Sequence, residues 1–197
     1  MEEEVTGEDF GEVDWSGQEL YGRHFTECSF AGADLVELVT SGCVFTACDF
    51  TSARLNASVH TDTAFLRCTF RRTTLFGARL AGCKVAGSVF EECTLRPIEI
   101  DGGDWRYVSL RGADLGRTDL RDLRLGEADL SGADLRKADL RNAQLAHARL
   151  RGAQLAGADL RGADLEGVDL RALDLAGARI DPMQAVAFAT AHGARVG

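Results

Sequence analysis

The chain has 197 residues, of which 45% are hydrophobic, so it is long enough for one sizeable folded domain. It is acidic, with a formal net charge of −9, and its first 50 residues hold twelve Asp and Glu against a single Arg. A field of this sign repels nucleic acid, which disfavours direct DNA binding and favours basic protein partners.

The N-terminus reads MEEEVTGEDF and shows neither the positive segment nor the apolar segment of a secretory signal peptide. No uninterrupted apolar run in the sequence approaches the length of a membrane span. We therefore expect a cytoplasmic protein whose six Cys residues are reduced thiols.

An apolar residue recurs every five positions from Phe10 to Ile180. Of the 35 sites in this register, 33 hold Phe, Leu, Trp, Val or Ile, and the exceptions are Thr40 and His60. A five-residue step turns an α-helix by about 140° net, and it changes the face of a strand, so neither element explains the period. The spacing fits a chain that turns a corner after each pentapeptide. It predicts closed coils that stack through parallel backbone hydrogen bonds at about 4.8 Å.

The repeat units resemble those of the pentapeptide-repeat family over about residues 8–180, as in EADLSGADLRKADLRNAQL from Glu127 to Leu145. The resemblance implies an all-β fold, the right-handed quadrilateral parallel β-helix, in which four pentapeptides make one coil of 20 residues. The 35 pentapeptides then give almost nine coils. We assign residues 1–180 to this β-helix and residues 181–197 to a short C-terminal helix and tail.

The 20-residue period predicts which core side chains stack on one another. Phenyl rings should form two columns on adjacent sides, one of Phe10, Phe30, Phe50, Phe70 and Phe90, and one of Phe25, Phe45 and Phe65. Thr40 and His60 should be neighbours in a third column. We expect His60 to be buried, neutral and bonded to Thr or to the backbone, because buried polar groups are normally paired.

All six Cys residues lie two positions before an apolar site, where Ala dominates later in the chain. We expect them to fill the core as small hydrophobic side chains. Cys28, Cys48 and Cys68 should form a column within disulfide reach. The lack of a CxxC pair and the expected reducing compartment favour a structural role over a redox or metal-binding role.

The sequence shows no recognisable catalytic pattern. The four His residues are dispersed without metal-ligand spacing, and we find no nucleophile elbow, phosphate-binding loop or dinucleotide motif. The many Asp residues occupy a repeat position and are interpreted as a solvated ladder. We expect no enzymatic activity, no cofactor and no metal site.

The period ends at Asp181-Pro182, which is typical of an N-cap followed by proline in the first helical position. The segment MQAVAFATAHG then predicts a short helix that Gly193 stops. Met183, Val186, Ala187 and Phe188 are too apolar for a solvated tail. They either cap the last coil or join two protomers, and both roles are compatible with the sequence.

Function is expected to lie on the acidic surface, because the Arg residues of the Leu-rich half largely offset its Asp residues. Seven carboxylates are the candidates for a partner-binding face: Asp9, Asp14, Glu19, Asp34, Asp49, Asp114 and Asp134. A rod with regularly spaced negative charges can imitate duplex DNA.

Two stretches outside the repeat consensus, GSVFEECTLRP and DPMQAVAFATAHG, resemble the mycobacterial fluoroquinolone-resistance members of the family. That resemblance implies a DNA mimic that binds DNA gyrase, inhibits supercoiling, protects the enzyme from quinolones or gyrase-directed toxins, and dimerises through its C-terminal helices. The alternative is a scaffold or regulator that binds another basic protein.

Overall fold

The computed structural model describes residues 4–196. This part of the chain contains three-residue β-strands, one 3-10 helix and one α-helix. They are β1 (Glu4–Thr6), β2 (Glu19–Tyr21), β3 (His24–Thr26), β4 (Val39–Ser41), β5 (Val44–Thr46), β6 (Val59–Thr61), β7 (Ala64–Leu66), β8 (Thr69–Arg71), β9 (Arg79–Ala81), β10 (Val89–Glu91), β11 (Glu99–Asp101), the 3-10 helix Leu170–Ala172 and α1 (Pro182–Ala191).

The strands build a parallel β-helix. They form sheets in the orders β1-β3-β5-β7, β2-β4-β6-β9-β11 and β8-β10. Paired residues are 20 positions apart, as in Phe25 with Phe45 and Thr40 with His60. The pairing confirms a 20-residue coil, and therefore four pentapeptides per turn.

The strands cover about five coils, fewer than the almost nine expected for the whole repeat. They end at Asp101, and isolated parallel bridges continue the stacking as far as Asp159 and Arg179. None of the strands has Asp immediately before its central residue. An Asp in that position accepts the N–H two residues later, as Asp119 does from Arg121 at 3.1 Å. This local bond bends the backbone into a turn at such positions. Pairs without Asp, such as Arg54 with Thr74 and Arg124 with Gln144, are also isolated bridges, so Asp is not the general cause.

Aromatic rings fill the N-terminal coils and leucines fill the later ones, as the period predicts. Phe30, Phe50 and Phe70 are stacked with centroids 5.0 and 4.9 Å apart and planes within 6° of parallel. Phe25, Phe45 and Phe65 form the second column with the same 5.0 Å spacing. Both predicted columns are confirmed.

The six Cys residues are free thiols, and all but Cys93 are buried. In the column of Cys28, Cys48 and Cys68, each thiol donates to a carbonyl oxygen 23 residues earlier, at 3.3–3.5 Å. Burial raises the pKa of the Cys83 and Cys93 thiols to about 11. The five buried Cys residues fill the core as small side chains, as the sequence predicts.

His60 lies in a buried hydrogen-bonded chain whose direction can be assigned. The Ser58 hydroxyl donates to the Leu55 carbonyl at 2.8 Å, so it accepts from His60 Nε2 at 3.0 Å. Nδ1 is then the unprotonated nitrogen and accepts from the Thr40 hydroxyl at 2.7 Å. Burial lowers the pKa of His60 to about 4. The predicted neutral His–Thr pair is confirmed.

We expect His60 to make the β-helix less stable in weak acid. Its pKa in the folded chain, about 4, lies below the ordinary value of 6.5. The unfolded chain therefore takes up the proton first as the pH falls. The contribution is complete above pH 6.5 and is lost between 6.5 and 4, with an upper limit of about 3 kcal/mol. Urea unfolding at a series of pH values should show this loss, and His60→Leu should reduce its slope. An unchanged slope in the variant would assign the loss to other groups.

The backbone ladder between coils is interrupted in two places within residues 4–196. No backbone hydrogen bond joins residues 92–102 to residues 111–122, or residues 149–157 to residues 169–177. The second gap lies at the C-terminal end, next to the 3-10 helix. The first gap lies in the middle of the rod, where the apolar period continues without a break.

Candidate interaction surfaces

The five N-terminal carboxylate candidates lie on three consecutive sides of the β-helix. Asp9 and Asp49 belong to one column, with Ser29 between them. Asp14 and Asp34 are direct neighbours on the next side. Glu19 lies on the side after that, in β2. The acidic candidates therefore lie on three of the four sides of the first coils and do not form a single face.

Local hydrogen bonds fix several of these carboxylates without neutralising them. Asp14 accepts from the backbone N–H and the hydroxyl of Ser16 at 3.0 and 2.6 Å, and these bonds lower its pKa. Asp49 accepts from Thr51 in the same way, at 2.9 and 2.6 Å. Asp9 accepts from the Gly11 N–H at 2.9 Å. These hydrogen bonds hold the three carboxylates in fixed directions.

Among the described residues, Asp34 differs from the other N-terminal candidates because it forms an ion pair. Its Oδ2 lies 2.8 Å from Nη1 of Arg54, one coil away. Asp9, Asp14, Glu19 and Asp49 lie outside the ion pairs found in residues 4–196. Glu19 accepts a hydrogen bond from the Tyr21 hydroxyl. These four are the uncompensated carboxylates.

The Leu-rich half carries paired charges instead. Three arginines each form an ion pair with the Asp two residues earlier, and Nη2 lies 2.6 Å from a carboxylate oxygen in each pair. They are Arg121, Arg141 and Arg161. Hydrogen bonding from the Arg161 guanidinium lowers the pKa of Asp159 to about 2. Each exposed pair contributes little to stability. Together the pairs cancel most of the charge of the Leu-rich half and leave it with little net electrostatic field.

The two candidates from the Leu-rich half belong to this paired class. Asp114 lies 3.0 Å from Nη1 of Arg96, and Asp134 lies 2.5 Å from Nη2 of Arg136. They are direct neighbours in one column, which also contains Asp14 and Asp34 several coils earlier. The structure thus separates them in distance and in charge compensation from the N-terminal group.

The four apolar candidates of α1 divide into two groups. Phe188 is buried with 7% exposure, whereas Met183 and Val186 are 78% and 41% exposed and Ala187 is also exposed. Phe188 therefore packs against its own chain and caps the coil end. The other three form an outward apolar surface on the helix, which we call the outer helix face.

Sequence reasoning missed Gln184 as the polar part of this cap. Its side-chain amide donates to the carbonyls of Leu160 and Ala163 at 2.7 and 2.9 Å, so it satisfies acceptors at the end of the rod. The same side chain accepts from the Asp181 N–H at 3.0 Å and completes a capping box. The signal was its position three residues after the N-cap.

Two further properties hold for the described part of the chain. None of its helices is both long and apolar enough to cross a membrane. No group of three or more His, Cys, Asp and Glu side chains within residues 4–196 is arranged to hold a metal ion.

Comparison with known proteins finds the repeat and the fold elsewhere. The family described as Pentapeptide repeats matches in eight copies, over residues 24–59, 106–142 and 148–181. Pentapeptide repeat protein MfpA of Mycobacterium tuberculosis is 47% identical over 107 residues, which are 54% of this chain and 48% of that protein. The match therefore spans about half the length of this curated relative.

Among solved structures, a trypsin-treated variant of QnrB1, a plasmid-mediated fluoroquinolone resistance protein, is similar with a TM-score of 0.88. The sequences are 24% identical, and the match covers 100% of this chain and 99% of that one. Full-length QnrB1 gives a TM-score of 0.83 at 23% identity, covering 98% of this chain and 99% of that one. At these identities the likeness concerns the fold, the right-handed quadrilateral β-helix.

Proposed function

We propose that this chain, which belongs to the pentapeptide-repeat family, is a non-enzymatic protein that occupies the DNA-binding surface of DNA gyrase. It presents negative charge in place of duplex DNA. By excluding DNA it inhibits supercoiling, and it protects the enzyme from fluoroquinolones or gyrase-directed toxins, which act on the gyrase–DNA complex.

The charge density of the first coils is the observation that carries this proposal. Residues 4–50 hold ten carboxylates and one Arg. They occupy somewhat more than two coils, or roughly 11 Å at 4.8 Å per coil. The net density is about one negative charge per 1.3 Å, against about one per 1.7 Å in duplex DNA. The whole chain, with net charge −9 over roughly 42 Å, reaches only about one per 5 Å. DNA-like charge is thus confined to the N-terminal end.

Two similarities add support. The segments Gly87–Pro97 and Asp181–Gly193 resemble the gyrase-binding members of the family outside the repeat consensus. The relative MfpA is 47% identical over about half of each chain. The folded rod also lacks the kind of enclosed pocket that a small-molecule enzyme needs, because side chains fill its axis in the described coils.

A supercoiling assay with purified gyrase tests the proposal. We expect increasing protein to inhibit supercoiling of relaxed plasmid, and we expect the inhibition to weaken between about 50 and 300 mM salt because exposed charges are screened. Fluoroquinolone-induced cleavage should fall over the same protein range. Absence of inhibition, or inhibition that does not respond to salt, would contradict DNA mimicry.

The outer helix face is proposed to join two protomers into one longer rod. Met183 is 78% exposed although it is large and apolar, and Val186 and Ala187 lie beside it on the helix surface. Pairing of this face would bury it and would place the two acidic ends at opposite tips of the dimer.

The double variant Met183→Glu, Val186→Glu should be monomeric and should keep its β-sheet circular dichroism. The matched control is Ala185→Glu, which adds a charge to an exposed position on another part of the same helix. Phe188→Glu should instead destabilise the end of the rod, because Phe188 is buried in its own chain. Sedimentation equilibrium measures the assembly state, and a dimeric double variant would remove this face from the interface.

A further inference from the structure

The interruption in the middle of the rod is a local opening, which we call the seam. Residues 92–102 and residues 111–122 make no backbone hydrogen bonds to each other. One coil earlier, Leu75 N–H donates to Thr94 O at 2.8 Å, and one coil later Leu115 N–H donates to Asp134 O at 2.9 Å. The other two sides stay closed at this level, as shown by the bond of 2.9 Å from Ser109 N–H to Ser88 O.

Pro97 supplies the physical cause of the seam. It occupies a corner position that requires a left-handed backbone, with φ of +73° at Gly77 and +61° at Arg117 in the same column. Proline holds φ near −65° and has no N–H to donate to the next coil. The corner therefore cannot adopt the repeat geometry, and the ladder on both adjacent sides is lost.

The seam forms a surface groove of about 580 Å³. Its lining includes four arginines, three acidic residues and two isoleucines: Arg79, Arg96, Arg117, Arg121, Glu99, Asp101, Asp119, Ile98 and Ile100. Ile100 is partly exposed, although Leu80 and Leu120 in the same core column are 2% exposed. The groove thus combines an apolar floor with walls that carry both charges, in which the arginines outnumber the carboxylates by one.

Both edges of the seam present backbone donors and acceptors in alternation. On one edge, the N–H groups of Leu95 and Gly102 and the carbonyl of Ile98 have no backbone partner in the described chain. The strand of Ile100 pairs only with β9, on the side away from the seam. On the other edge, the N–H and C=O groups of Asp114 and Asp119 lack backbone partners in the described chain. A β-strand has the same alternation, whereas an anion that carries no proton, such as sulfate, accepts hydrogen bonds but cannot donate to carbonyl oxygens.

We propose that the seam binds an extended peptide segment of a partner protein, which adds to an open edge as a β-strand. Strand addition to an exposed edge is a general mode of peptide recognition, in which the backbone supplies affinity and side-chain pockets supply specificity. This site is separate from the acidic N-terminal coils and does not depend on their proposed function.

Asp101 also lines the groove and forms no ion pair within residues 4–196, but an unpaired guanidinium there offers a contact for an acidic side chain of the guest peptide. Arg79, Arg96 and Arg121 have carboxylate partners within the chain. Arg117 is exposed and forms no ion pair within residues 4–196. A Glu or Asp of the guest therefore finds an available guanidinium at the mouth of the groove.

Selection of peptides from a randomised, displayed hexapeptide library tests this inference. The wild-type chain is the target, and Pro97→Gly is the counter-target, since glycine adopts the corner conformation and restores the N–H. We expect the selection to yield acidic, β-prone peptides. Their affinity for the Pro97→Gly and Arg117→Glu variants should be at least tenfold lower than their affinity for the wild-type chain. Arg151→Glu, an exposed arginine outside the ion pairs of the described chain, is the matched control and should bind normally.

Amide hydrogen exchange gives an independent reading on the full chain. Leu95, Ile100 and Asp119 should exchange faster than Leu75 and Leu115 in the free protein, and a selected peptide should slow them. Failure to enrich any peptide, or peptides that bind Pro97→Gly equally well, would overturn the proposal. Slow exchange of the seam amides in the free protein would do the same. If inorganic phosphate alone shifted these amides and displaced the peptides, the groove would be an anion site instead.

Discussion

Replacing Phe50 with alanine should lower the free energy of unfolding by about 3–5 kcal/mol, the usual range for removing a buried phenyl ring. Phe50 is 1% exposed and lies between Phe30 and Phe70, with ring centroids 5.0 and 4.9 Å away. Phe45 also packs against it in a T-shaped arrangement, with ring centroids 5.5 Å apart. The backbone of a stacked coil cannot collapse into the space because the coils above and below fix its position, so the cavity remains.

The matched control is Phe76→Ala, the same chemical change at a side chain that is 54% exposed. It should change stability by no more than about 0.5–1 kcal/mol. Urea unfolding followed by circular dichroism measures both variants, and equal m-values would show that they unfold the same amount of structure. Similar losses in the two variants would mean that the phenyl columns are not a main source of stability.

The columns were predictable because a repeat without insertions fixes the position of every side chain. Residue number modulo 20 places Phe50 above Phe30, and it places Thr40 beside His60. The same arithmetic separates Asp9, Asp14 and Glu19 onto three sides. Grouping these carboxylates as one face therefore used their sequence proximity, whereas the coil geometry distributes them around the rod.

Other features depend on backbone conformation that the apolar period does not encode. Leu95 and Ile100 continue the five-residue register through Pro97, so the seam leaves no trace in the pattern of core residues. In α1, composition suggested four equivalent apolar residues. Only the orientation of the helix on the last coil shows that Phe188 is covered and that Met183 is not.

At the Asp positions of the Leu-rich half, where isolated bridges replace regular strands, local hydrogen bonds shape the backbone. The Asp139 carboxylate accepts a hydrogen bond from the backbone N–H of Arg141 at 3.2 Å. It accepts a second one from Nη2 of the Arg141 guanidinium at 2.6 Å. The Asp139 carboxylate thus bends the backbone by accepting the Arg141 N–H, and the Arg141 guanidinium neutralises its charge. The A-D-L-R units of the Leu-rich half therefore build a nearly neutral support, whereas carboxylates followed by Gly, Ser or Thr in the first coils keep their charge available.

Removing the four uncompensated carboxylates should weaken gyrase inhibition at least tenfold at low salt. The variant combines Asp9→Asn, Asp14→Asn, Glu19→Gln and Asp49→Asn. The amide oxygens can still accept the N–H bonds from Gly11, Ser16 and Thr51, so the turns are retained. An exposed charge pair contributes roughly 0.2–1 kcal/mol, so four of them amount to roughly 1–4 kcal/mol, and 1.4 kcal/mol is about tenfold in affinity.

The control neutralises four carboxylates that already have arginine partners: Asp119→Asn, Asp134→Asn, Asp139→Asn and Asp159→Asn. Both variants change the net charge by the same amount, so they separate local charge density from total charge. If inhibition requires DNA-like density, the N-terminal variant should lose most of its activity and most of its salt dependence, whereas the control should retain both. Equal losses would mean that gyrase responds to the charge of the whole rod. The dense N-terminal end would then not be the contact surface.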